Sequence, residues 1–109
     1  LYVAGWALGT VFAVPADGEP GPLATELAAP VGLALDGDRL LVVEQGLGQV
    51  SAIDLATGEK SVVIEGLALG DRVIPGAFPH GNFNDVAVGP DGSIYVSVDG
   101  DNSVLRFAR

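Results

Sequence analysis

Cysteine and methionine are absent from this chain, and there is a single histidine. Without Cys no disulfide braces the fold and no thiolate holds structural zinc, while the redox compartment stays open. Basic residues are few, five against 14 acidic ones, for a net charge of −9. That balance argues against nucleic acid and anionic membrane surfaces as partners and suits a cation or a neutral polar ligand. No apolar run approaches the roughly eighteen residues of a membrane-spanning helix. Uninterrupted sequence is scarce too: Gly 16 and Pro 7 leave no Gly/Pro-free run longer than nine residues, at 49–57 and 101–109. A typical helix needs about ten or more, so helices have almost nowhere to form.

What remains is a set of short apolar runs rich in Val, Ile and Leu, set between turn signals. Runs such as Leu40–Val43 lack polar alternation, the pattern of strands buried on both faces. At 109 residues there is room for one small all-β domain. The missing Met and the opening on Leu1 in mid-strand lead us to expect an excerpt of a longer chain. The uncharged stretch Leu1–Ala16 has the apolarity of a signal-peptide core but no basic stretch before it, and it aligns with an internal repeat, so it reads as folded structure.

That repeat organises the chain. LYVAGWALGTV (1–11) aligns without gaps on LLVVEQGLGQV (40–50), which aligns on IYVSVDGDNSV (94–104). Upstream, VGLAL (31–35) matches NDVAV (84–88). Repeats of this length built from short strands indicate four-stranded antiparallel propeller blades. The expected division is residues 1–30 as strands two to four of one blade, 31–69 as a complete blade, 70–83 as a long rim loop and 84–109 as strands one to three of another. The end units would each leave an apolar face uncovered, so the expected partners include remaining blades or further copies of the chain.

Strand direction alternates, so loops sort onto two rims. One rim carries minimal turns such as Asp36-Gly37-Asp38, where Gly supplies the positive φ of a tight hairpin. The other carries Gly5–Gly9, Gln45–Gly48, Asp99–Asn102, Ala28–Pro30 and the long segment Gly66–Phe83, and long connections tend to be functional. On this rim Asn84 and Asp85 offer the hard oxygens that divalent cations prefer, or they cap a strand start. Asn82 enters the same strand. His80 is a candidate ligand or general base, or a hydrogen-bonded loop residue. Trp6 can stack on a sugar or plug a gap between units. The Asp99–Ser103 loop has calcium-like oxygen spacing but lacks the Gly and Glu of an EF-hand, leaving a plain Asp-Gly hairpin. Glu44 reads as an exposed acid.

The stretch NFNDVAVGPDGSIYVS (82–97) resembles a motif of the SMP-30/gluconolactonase/LRE-like propellers, and the phrasing of the repeats is similar to NHL-repeat propellers. The resemblance implies a six-bladed propeller with one divalent metal, Ca²⁺ or Zn²⁺, in its channel, with Asn84 at the metal and His80, Asn82, Asp85 and Trp6 towards a small polar ligand. If the chain is catalytic, it implies lactone hydrolysis. The family's Glu-Gly-Pro motif and its later strand with the catalytic Asp are absent here. A non-catalytic NHL-like module binding protein or glycan, and a quinoprotein-like sugar dehydrogenase, are the other readings. The resemblance favours a periplasmic or extracellular setting.

Overall fold

The computed structural model describes residues 1–67, 69, 84–98 and 103–108. Strands β1 (Tyr2–Gly5), β2 (Thr10–Ala13) and β3 (Gly21–Ala24) form a first sheet. The middle sheet comprises β4 (Pro30–Asp36), β5 (Arg39–Glu44), β6 (Gln49–Asp54) and β7 (Lys60–Ile64). A third contains β8 (Val86–Val88), β9 (Ile94–Val98) and β10 (Ser103–Phe107). Each is an antiparallel meander in chain order.

The all-β reading therefore holds, but the propeller does not. Among the described residues there are three separate open sheets of three, four and three strands, only the middle one four-stranded, and none closes or curls. This corrects the partial propeller and, with it, the resemblance to the SMP-30/gluconolactonase-like and NHL-like families. The physical reason is that a repeat specifies the local meander and the face on which it packs. Joining units into a closed ring depends on how many there are and how they are rotated, which short-range pattern does not encode.

Two apolar layers hold the sheets together, one on each face of the middle sheet. Leu40, Val42 and Ile53 pack with Val11 and Leu27, with Tyr2 and Leu23 at the margin, joining the first sheet to the middle one. Leu41, Val43, Val50, Ala52 and Ile64 pack with Val86, Ile94, Val96 and Val98, joining the middle sheet to the third. Successive side chains of a strand point to opposite faces. That is why Leu40–Val43 can be apolar throughout: each residue is at most 1% exposed, alternate ones serving alternate layers.

Loop and sheet are tied by a device that occurs twice among the described residues. The loops Trp6–Leu8 and Gln45–Leu47 are single 3₁₀ turns, each ending on a glycine in the left-handed region, Gly9 and Gly48. The Leu27 N–H donates to the Gly9 carbonyl and the Leu67 N–H to the Gly48 carbonyl, each at 2.9 Å. A Cβ on Gly9 would stand 2.6 Å from the Leu27 carbonyl oxygen, and one on Gly48 2.7 Å from that of Leu67. Only glycine meets both the positive φ and the close approach.

Candidate functional site

Two 3₁₀ turns and the start of the long rim segment enclose a hollow of about 440 Å³. It is lined by Trp6, Ala29, Gln45, Leu47, Leu67 and Leu69, with Gly46 and Gly48. Trp6 (39% exposed) and Leu47 (59%) present apolar surface at its edge. Ala29 forms part of the floor in a left-handed conformation, φ +52°, which is uncommon for a residue with a Cβ. Its carbonyl accepts the Gln45 N–H at 3.1 Å, and the Ala28 carbonyl accepts the Gly46 N–H at 2.9 Å.

Beneath this floor lies a polar cluster that sequence reasoning missed. Glu44 is fully buried, not the exposed acid expected. Its Oε2 accepts the Ala28 N–H at 2.9 Å, and its Oε1 accepts Ser51 Oγ at 2.5 Å, Gln49 Nε2 at 3.1 Å and Lys60 Nζ at 3.0 Å. Burial opposes its charge. The Ala28 N–H, the Ser51 hydroxyl, Lys60 and Gln49 outweigh that penalty and hold the carboxyl below its ordinary value of 4.5. Cross-strand geometry explains the grouping: Glu44 pairs with Gln49 and Val42 with Ser51, so positions 44, 49 and 51 share one face. A signal was present in the sequence, since Gln49 and Ser51 alternate with apolar residues opposite the acid. The cluster anchors the Ala28–Ala29 turn and has its donors and acceptors engaged with one another, which is the work of a brace.

The residues expected at one ligand site do not converge. Trp6 lines the rim hollow, whereas Asp85 lines a different one, of about 200 Å³, on the outer face of the third sheet with Val86, Ala87, Tyr95, Ser97 and Val104. Asp85 acts locally. Its Oδ1 accepts the Val86 N–H, its own N–H donates to Ser97 Oγ, both at 2.8 Å, and its carbonyl accepts the Ser97 N–H at 3.0 Å. It also lies against Gly32, where an added Cβ would come within 2.6 Å of Asp85 Oδ1. Asn84, two residues before β8, is buried at 4% exposure. His80, Asn82 and the Asp99–Asn102 loop lie outside the described residues.

Divalent metal binds through several converging hard ligands. Among the described residues no three His, Cys, Asp or Glu side chains come together in that way. The metal-dependent, channel-mouth ligand site and the lactone hydrolase built on it, together with the calcium-binding, hydrolase and propeller descriptions, are corrected accordingly. No helix among the described residues is long and apolar enough to cross a membrane.

The remaining notable surfaces are the two end faces. On the first sheet, Val3 pairs with Phe12 and Phe12 with Pro22, so the three form a row across its outer side. Val3 is 44% exposed, and the Phe12 ring lies over Gly5, whose added Cβ would meet it at 3.0 Å. On the third sheet, Ala87, Tyr95 and Arg106 form one outer row and Ser97 with Val104 the next. Val104 is 68% exposed. Arg106 donates to Asp91 Oδ2 at 2.9 Å at the edge of this face. A scan of known protein-family models finds none that matches this chain, and no curated protein matches its sequence.

Proposed function

We propose that this chain is an interaction module that works by stacking β-sheet against β-sheet, with its two outer faces as docking surfaces for further sheets, a second copy of itself included. One observation carries this reading: the outer faces bear the same residue positions that the middle sheet keeps buried. Through the repeat, Val3 corresponds to Val42 and Val104 to Val50, and both counterparts are fully buried. Exposed apolar faces in a chain this small mark surfaces that associate. The reading is non-catalytic; supporting it, the Glu44 carboxylate is fully buried and already engaged by Ala28, Gln49, Ser51 and Lys60.

Sedimentation equilibrium on the purified chain tests it. The expected result is a mass that rises above 11.0 kDa with concentration. A constant monomer mass at every concentration, with a cooperative thermal transition, would defeat the proposal.

The rim hollow supports a second, independent role: holding a neutral polar ligand with a flat apolar face, such as a pyranose ring, against Trp6. Trp6 is the chain's one tryptophan, so its emission reports on that hollow alone. Saturable emission changes with neutral hexoses are expected. A flat titration removes this role and leaves sheet stacking untouched.

A further inference from the structure

Both internal joints are made the same way round. Tyr2 and Val11 of the first sheet meet Leu40, Val42 and Ile53 of the middle one. Leu41, Val43, Val50 and Ala52 of the middle sheet then meet Ile94, Val96 and Val98 of the third. By the repeat, Tyr2 and Val11 occupy the positions of Leu41 and Val50, and Ile94 and Val96 those of Leu40 and Val42. Each joint therefore mates one type of sheet face with the opposite type. The third sheet's outer face (Tyr95, Val104) is of the first type, standing where Leu41 and Val50 stand. The first sheet's outer face (Val3) is of the second, standing where Val42 and Val96 stand.

We infer that two copies of this chain associate head to tail, the outer face of the third sheet in one copy seating on the outer face of the first sheet in the next. This rests on the stacking reading above and deepens it by naming the partner face. Relief supports the same pairing. The third sheet presents a hollow of about 200 Å³ between Ala87, Tyr95 and Val104, while the first presents Val3 and the Phe12 ring. Apolar side chains seated on that hollow fill it, whereas two hollows face to face would trap a void and lose their packing contacts. A head-to-tail joint is heterologous and leaves one open face at each end of a pair, so copies add stepwise.

Complementation between two charge variants tests this. Val3→Asp spoils only the first sheet's outer face and Val104→Asp only the third's, both at exposed positions where the fold is expected to tolerate the change. Circular dichroism melts on each variant verify that it folds. In the head-to-tail arrangement each variant alone is monomeric by sedimentation, weakened at least tenfold, because every joint in it has one spoiled side. Mixing the two restores association through the two intact faces and stops at a heterodimer, seen by native mass spectrometry. If one variant alone still dimerises, like faces pair, and the head-to-tail inference falls while stacking survives. A parent chain that is monomeric throughout sinks the stacking reading itself. A mixture that stays monomeric although the parent associates also overturns the inference.

Discussion

Replacing Glu44 by Gln removes the charge that Lys60, Ser51, Gln49 and the Ala28 N–H all address, with almost no change in shape. Breaking a buried ion pair from one side costs roughly 3–5 kcal/mol. Here the Lys60 side chain is 33% exposed and can turn towards water, which lowers the expected loss to about 2–3 kcal/mol. Urea denaturation at a fixed protein concentration measures it as a lower midpoint with an unchanged slope. The sign of the pH dependence follows from the depressed folded-state pKa of Glu44. Its stabilisation is present in full above the ordinary value of 4.5 and fades as pH falls through the lower folded value. The parent and Glu44→Gln stability curves are thus separated near neutrality and converge in acid. A Glu44→Gln protein within about 0.5 kcal/mol of the parent at pH 7 would refute the brace, that being the scatter of ordinary surface substitutions. The cycle with Lys60→Met should show a coupling of about 1 kcal/mol or more, as contacting charges do.

Gly48→Ala should destabilise by about 2–3 kcal/mol, combining the left-handed backbone penalty with the clash on the Leu67 carbonyl. Gly37→Ala has a similar φ of +60° but nothing within 4 Å; it isolates the backbone part and should cost only about 1 kcal/mol in the same urea melts. Asp91 is drawn down to about 2 by the Ser93 N–H, the Ser93 hydroxyl and Arg106, so its carboxyl resonance should titrate near that value by NMR and move up in Ser93→Ala. Because each copy carries −9, added salt should tighten self-association by screening their repulsion; weaker association in high salt would mean that the joint is held by charge.

Much of the fold was legible because its grammar is local. Glycine and proline mark each turn, and apolar runs such as Leu40–Val43 and Ile94–Val98 lie within strands β5 and β9. Architecture beyond the single sheet was not, since the same residues mate two sheets whether a stack stays open or closes. The resemblance carried by Asn84-Asp85 pointed to a metal, yet in the structure Asp85 is occupied with Val86 and Ser97. Glu44 was misjudged for a different reason. An acid at the end of an apolar run has no visible partner until pairing across β5, β6 and β7 brings Gln49, Ser51 and Lys60 to it. Exposure of the end faces was expected from the repeat, since each end unit lacks a neighbour, and Val3 and Val104 are indeed exposed where their counterparts Val42 and Val50 are buried.

Those four valines offer the most direct measurement. With methyl-labelled valine and a soluble paramagnetic agent, Val42 and Val50 should stay protected at every protein concentration. The Val3 and Val104 methyls should broaden in dilute solution and become protected together as the concentration rises. If they remain equally open to the agent in dilute and concentrated samples, the outer faces are ordinary surface and the stacking account is wrong.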